Sequence, residues 1–221
     1  MKNNSLEIDS VRKTFNDKLI LSDVYLKCET GDIVGVLGRN GSGKSTLFKI
    51  IYGVQTADFK CLKINNKVTE GSKILQSEIS YLPQGNYIPN QFSVAQAVSL
   101  SVVATRRAVF YEDEMIESVK DKMIKQLSGG ELRYLEVKII LFNTSHFVLL
   151  DEPYNGLSPL MVEKVNKMIS LNVHSKGVLI TDHNYPNVID VATKIVLLKG
   201  GVLHHLNDKK ELIELGYLNQ F

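Results

Sequence analysis

Two cysteines in 221 residues are too few to staple a fold. Cys28 and Cys61 lie far apart and outside any CxxC spacing, so both read as reduced core or surface thiols. Charge of one sign is equally scarce. Lys and Arg total 26 against 24 Asp and Glu, a formal net charge of +2. That balance gives no reason to expect nucleic acid as the main partner. Lys120, Lys122 and Lys125 are interspersed with acids, and Arg106–Arg107 reads as a solvated helix face. Long apolar runs are missing too. "QFSVAQAVSLSVVAT" (91–105) is too short and too polar to span a bilayer, and "MKNNSLEIDS" has no apolar core of a secretory signal. The expectation is a soluble cytosolic protein that reaches a membrane only through a partner. Repeats, low-complexity tracts and linkers are also lacking. What remains, 44% hydrophobic and 23% charged, is ordinary globular composition, enough for one well-buried core.

Within that composition the patterning changes along the chain. Leu6, Ile8 and Val11, then Val24, Leu26 and Cys28, follow the period of two of half-buried antiparallel strands. "DIVGVLG" (32–38) is nearly continuously apolar, as a strand covered on both faces requires. Leu47, Ile50, Ile51 and Val54 then form a helical stripe. Residues 93 to about 125 contain no Gly or Pro and read as helices. A further helix follows "LSGG", with Leu132, Leu135, Ile139 and Phe142 on one face. "FVLLD" (147–151) and "GVLITD" (177–182) are buried strands separated by a helical pattern over about 159–171. "IVLLKGGVLHHL" is a hairpin turning at Gly200–Gly201, and Asp208 with Glu211 opens a last short helix as a capping box. Strands alternating with helices predict an α/β fold with a mostly parallel sheet. The start predicts a β-rich attachment, and about 85–145 an inserted helical lobe.

Two stretches carry chemistry. "GRNGSGKST" fits G-x-x-x-x-G-K-[ST] through Gly38, Gly43, Lys44 and Ser45, between a buried strand and an amphipathic helix. Glycines let successive N–H groups point at phosphate oxygens. The helix N-terminus adds its dipole, Lys44 a mobile positive charge, and Ser45 a hydroxyl for Mg²⁺. "HFVLLDEPYNGLSP" (146–159) places Asp151 and Glu152 side by side at a strand end, an expensive position without a positive partner. A hydrated Mg²⁺ on a triphosphate provides one for Asp151 through water. Glu152 points elsewhere, where it suits a base that takes a proton from attacking water. "LSGGE" (127–131) makes a second anion-binding helix start, one more than a single nucleotide obviously needs from one chain.

In order, these motifs resemble the ATP-binding cassette ATPases, the nucleotide-binding subunits of ABC transporters, over essentially the whole chain. The order runs "GRNGSGKS", then "YLPQ" with Gln84, "LSGGE", "FVLLDE", and "LITDHN" with His183. The resemblance implies a P-loop NTPase core with a mixed parallel sheet, an N-terminal antiparallel β subdomain and an inserted α-helical subdomain. All of it would form a single ABC ATPase domain over 1–221. It implies ATP bound by the P-loop, Gly38, Arg39, Asn40, Gly41, Ser42, Gly43, Lys44, Ser45 and Thr46, with Phe15 stacked on adenine. It implies Mg²⁺ held by Ser45, Gln84 and, through water, Asp151. His183 would contact the γ-phosphate and orient Glu152. Leu127, Ser128, Gly129, Gly130 and Glu131 would complete the site of a second ABC ATPase subunit, identical or not. An integral membrane transporter subunit is the implied partner, holding this chain on the cytoplasmic face of the membrane.

Two positions depart from the family pattern. "NGLSP" carries Ser158 where the family commonly has Asp, in a loop expected to cross the dimer. "KIIL" carries Ile139 where Arg is usual. The competing reading is a soluble cassette of an assembly pathway, such as iron–sulfur cluster assembly. A DNA- or ribosome-directed cassette usually needs a coiled-coil insertion, a zinc module or a second cassette, none of which is present. A GTPase is disfavoured because "NNKVT" (65–69) lacks the Asp of N-K-x-D. His204 and His205 face opposite sides of a strand and do not make a metal pair.

Overall fold

The computed structural model describes residues 3–218. The N-terminal alternation folds as β1 (Ser5–Phe15) and β2 (Lys18–Glu29), paired antiparallel. Their two-residue turn, Asn16–Asp17, has φ of 44° and 61°, the left-handed pair whose twist matches the flanking strands. The chain continues into β3 (Ile33–Leu37) and α1 (Lys44–Tyr52). It then returns to the first sheet as β4 (Phe59–Ile64) and the short β5 (Lys67–Val68), giving the order β2-β1-β4-β5.

From there α2 (Ser72–Glu78) leads into β6 (Ile79–Leu82). The helices α3 (Val94–Ser101), α4 (Ala104–Tyr111), α5 (Glu114–Glu117) and α6 (Gly129–Phe142) follow. The last third alternates β7 (Phe147–Asp151), α7 (Pro159–Asn172), β8 (Gly177–Thr181), α8 (Tyr185–Val191), β9 (Lys194–Lys199), β10 (Val202–Leu206) and α9 (Glu211–Glu214). The central sheet has the order β10-β9-β3-β8-β7-β6. It is parallel except for the β9–β10 hairpin, as the alternation of strands and helices predicted.

Every residue of β3, β7 and β8 is buried, because each face of the central sheet is covered. The period of two sorts their side chains into two cores. Val34, Val36, Phe147, Leu149 and Leu179 pack with the antiparallel sheet and with Leu47, Phe48, Ile50 and Ile51 of α1. Ile33, Leu37, Val148, Leu150, Val178 and Ile180 pack on the other face with residues of α3 to α8. A continuous apolar run in sequence is thus a strand with a different core on each side.

Two local expectations are corrected, and the helical reading of 93–125 holds with breaks added. Val54 does not complete the stripe of α1. Gly53, at φ 85°, caps the helix through its N–H to the Ile50 and Lys49 carbonyls, and Val54 is exposed. The stretch 93–125 breaks into short helices although it has no Gly or Pro. Ser93 caps α3 in a capping box with Gln96, the β-branched pair Val102–Val103 is extended, and the Asp113 side chain caps α5. Ser93 and Asp113 offer the backbone a side-chain partner, and the β-branched pair favours extended backbone. At the last helix Glu211 reaches back to the Asp208 N–H, but the Asp208 carboxylate accepts from Lys210 two residues on, so the capping box is half formed. Strands β4, β5 and β6 and helices α2 and α8 carry no strong pattern and were not foreseen. Cys28 and Cys61 are both free, as expected.

Gly177, where β8 starts beneath β2, is a point of close approach between the sheets. A Cβ there would lie 2.8 Å from Cys28 Sγ, 2.9 Å from the Glu29 carbonyl oxygen and 2.9 Å from Phe147 Cδ1. Gly177→Ala is therefore expected to lower the unfolding free energy by about 1–3 kcal/mol in urea denaturation. An unchanged midpoint would mean that the spacing between sheets has slack.

Candidate functional site

The site forms at the carboxyl ends of the parallel strands, where open α/β sheets place their ligand crevice. After β3 the chain turns through Gly41 and Gly43, both with left-handed φ (78° and 108°), into α1. Gly43 is the N-cap, and no side chain caps the helix. A Cβ on Gly43 would also press on Ile20 Cγ2 at 3.0 Å, so the loop closes onto β2 only with glycine there. The free N–H groups of α1 therefore face the crevice and suit an anion.

Lys44 is largely buried, and its ammonium donates to the carbonyls of Gly38 at 2.7 Å and Arg39 at 3.2 Å. Burial holds its pKa below the ordinary lysine value, while Glu152, Asp151 and Asp182 push it back up. Beside it, the Ser45 hydroxyl donates to Asp151 Oδ1 at 3.0 Å. The Tyr81 hydroxyl of β6 donates to Asp151 Oδ2 at 3.0 Å, so both oxygens of this buried carboxylate are held. Burial raises the Asp151 pKa, and these two hydrogen bonds counter it.

Glu152 diverges from Asp151 because the backbone turns over at that point. Its φ is 53°, a left-handed conformation that is strained for glutamate. Its N–H donates to the Thr181 carbonyl at 2.7 Å. The side chain accepts from Gln84 Nε2 at 2.9 Å and lies 3.8 Å from His183 Nδ1. Phe15, Asn40, Gly41, Gly43, Lys44, Ser45, Thr46, Gln84, Glu152 and His183, together with Ile20, line one cleft of about 520 Å³. Residues predicted from four separate motifs, together with Phe15, thus meet in one place.

Other predicted residues lie elsewhere. Arg39 and Ser42 line a smaller cavity of about 220 Å³ with Tyr217, behind the loop, and Asp151 sits under the cleft. Leu127–Glu131 do not line the cleft. They open α6, where Ser128 and Glu131 form a capping box: Ser128 Oγ accepts from the Glu131 N–H at 3.2 Å, and Glu131 Oε2 from the Ser128 N–H at 2.7 Å. Ser158 caps α7 by accepting from the Met161 N–H at 3.4 Å. A serine fills that structural task as well as an aspartate does. Ile139 is buried among the helices, an apolar environment in which an unpaired arginine would be costly.

Four residues that sequence reasoning missed complete the site: Tyr81, Arg133, Glu136 and Asp182. Arg133 of α6 is buried, with Nη1 donating to the Pro83 carbonyl at 2.8 Å and Nη2 to the carbonyls of Asp151 at 2.7 Å and Glu152 at 2.8 Å. Glu136, one turn on, stands 3.4 Å from Arg133 Nη1 and accepts from the N–H groups of Tyr87 and Ile88. This pair ties the helix that begins with "LSGGE" to the loop of Gln84 and to the backbone bend at Glu152. The i, i+3 Arg–Glu pair on a helix rich in apolar residues was the signal in the sequence. Asp182 accepts from the Tyr154 N–H at 3.1 Å and the Asn184 N–H at 2.9 Å. Burial pushes its carboxyl up, and these two N–H groups and His183 pull it back.

The chain matches the model of the ABC transporter family over residues 21–155. It is 31% identical to the lipopolysaccharide export system ATP-binding protein LptB of Haemophilus influenzae, over 89% of this chain and 87% of that one. It is 28% identical to LptB of Acidithiobacillus ferridurans, over 95% and 92% of the two chains. Nod factor export ATP-binding protein I of Bradyrhizobium diazoefficiens is 26% identical, over 91% of this chain and 69% of that one. Among solved structures, the ATP-binding subunit of an ABC transporter superposes with a TM-score of 0.85 at 18% identity, covering 98% of this chain and 95% of that chain. That likeness is one of fold.

Arg133→Met would leave Glu136 buried beside no cation and three carbonyls without their donor. It is expected to cost about 3–5 kcal/mol in urea unfolding. Arg133→Met with Glu136→Met should cost less than the sum of the two single losses, and strictly additive losses would contradict the pairing.

Proposed function

Because the chain belongs to the ABC transporter family, we propose that it binds and hydrolyses ATP to power a transmembrane transporter through nucleotide-driven closure of a cassette dimer. The observation that carries this reading is the cleft itself, where Lys44 and the uncapped start of α1 face Gln84, Glu152 and His183. A triphosphate laid along the loop would meet the N–H groups of Gly41 and of residues 43–46 and the Lys44 ammonium. Phe15, at the cleft edge and 46% exposed, offers a ring face for the base.

The donors near Ser45 are hard oxygens: its own hydroxyl, the Asp151 carboxylate and the side-chain carbonyl of Gln84. That set suits Mg²⁺, with Asp151 acting through water. When bound, the ion would neutralise phosphate charge. Glu152, bent out of line with β7, is the general base for the attacking water. Its conformation is held by Thr181 and Arg133, so its carboxylate stays clear of Asp151. His183 orients that water and meets the terminal phosphate. Charge developing on the phosphate is met by Lys44 and, in a closed dimer, by the Ser128–Gly130 helix start of the second cassette.

The helices from about 85 to 145 act as the part that contacts the integral membrane subunit, with Arg133 and Glu136 joining them to the Gln84 loop. No described helix is long and apolar enough to cross a membrane, so attachment to the membrane would run through that partner. The relatives named as export ATP-binding proteins support a transporter over a soluble assembly pathway.

Glu152→Gln is expected to abolish turnover while ATP binding persists, and to accumulate a dimer on size-exclusion chromatography with ATP. Turnover at the wild-type rate would remove Glu152 as the base. Ser158→Asp keeps a good cap on α7, so stability should change by less than about 0.5 kcal/mol. Any change in its turnover then reports on the contact between cassettes. Copurification of the tagged chain with an integral membrane protein tests the transporter assignment, and a chain recovered only as a free species would count against it.

A further inference from the structure

Asp182 is 1% exposed, carries no assigned role in the chemistry above, and lies next to His183. A buried carboxylate must be compensated. No lysine or arginine pairs with it among the described ion pairs. Its partners are instead two backbone N–H groups from separate segments. Oδ2 takes the N–H of Tyr154, two residues beyond Glu152, and Oδ1 takes the N–H of Asn184, one residue beyond His183. His183 Nδ1 stands 3.3 Å from Oδ1.

The segments joined in this way are the two that carry the reacting side chains. Glu152 reaches β8 at only one other backbone point, its N–H on the Thr181 carbonyl. With the Asp182–Tyr154 bond, the Glu152 turn is anchored on both sides to the end of β8. The Asp182–Asn184 bond folds the chain so that the imidazole between them projects into the cleft. The Tyr154 hydroxyl extends the tie to Asn166 of α7, at 2.5 Å, so the loop ending at Ser158 hangs from the same anchor.

We propose that Asp182 is a positioning residue for ATP hydrolysis, clamping the Glu152 loop to the His183 turn and fixing the imidazole by its Nδ1 edge. This rests on the ATPase reading of the same cleft. A carboxylate only accepts hydrogen bonds, so the clamp predicts hydrogen on Nδ1 and leaves Nε2 as the accepting nitrogen. Asparagine at 182 would keep the shape but set an NH₂ donor against one of the two N–H groups, releasing one segment.

Asp182→Asn is therefore expected to lower kcat about tenfold or more with the dissociation constant for ATP unchanged. In a His183→Ala background the same substitution should add little, because the residue acts through a geometry already lost. A wild-type kcat, or an equal fold-loss in both backgrounds, would overturn the proposal. The imidazole ¹⁵N resonances of His183 in the unsubstituted protein, assigned with His183→Ala, give an arm that needs neither turnover nor a foldable Asp182 variant. Hydrogen on Nδ1 supports the clamp, and a neutral ring with bare Nδ1 overturns it. A wild-type chain that binds ATP but never hydrolyses it would defeat the ATPase reading instead, leaving the resonance arm to decide the clamp.

Discussion

Three carboxylates crowd the ends of two adjacent buried strands, and the surrounding structure is arranged to hold them. Asp151 ends β7, Glu152 follows it and Asp182 follows β8, and the Lys44 ammonium is close enough to act on all three. Such a group is stable only if each charge finds its own partners and keeps away from the others. Asp151 takes hydroxyls from Ser45 and Tyr81. Asp182 takes backbone N–H groups. Glu152 is swung into the cleft by a left-handed bend. The strain at Glu152 is tolerated because Arg133, Thr181 and Asp182 hold the chain on both sides of it.

This arrangement links regions that are remote in sequence. Arg133 places the guanidinium of α6 on the carbonyls of Pro83, Asp151 and Glu152, and Glu136 secures the next turn of the Gln84 loop. A displacement of α6 by a membrane partner, or by a second cassette meeting Ser128–Gly130, would therefore be transmitted to the backbone of Glu152. Guanidinium suits the position because its planar fork satisfies three carbonyls at once, which an ammonium on a flexible stem does less well.

Much of this was legible in the residues. The apolar runs at 32–38, 147–151 and 177–182 correspond to three central strands, and the alternation at 6–28 to the first two strands of the antiparallel sheet. The contiguous motifs pointed to residues that gather around one cleft, from Phe15 to His183. Short elements without a pattern were not legible. Strands β4 and β6 alternate too briefly to be told from loops, and "AQAVSLSVVATRRAVF" hides a break at Val102–Val103. Tyr81, Arg133 and Asp182 were missed for another reason. Each belongs to the site through contacts with partners 18 to 70 positions away, and even the local Arg133–Glu136 spacing does not report which carbonyls the guanidinium meets.

By itself the sequence determined which local chemistries exist: a glycine loop before a helix, two acids after a strand, a serine-capped helix, a histidine after another strand. Each is contiguous, so its backbone geometry follows from a few neighbouring residues. Tertiary structure alone decided where each of them sits. The parallel register of β7 beside β8, with Asp151 opposite Thr181, sets Asp151 under the cleft, Glu152 in it and Asp182 behind it. That register depends on the packing of two cores against opposite faces of one sheet, a long-range constraint that no short stretch of residues contains.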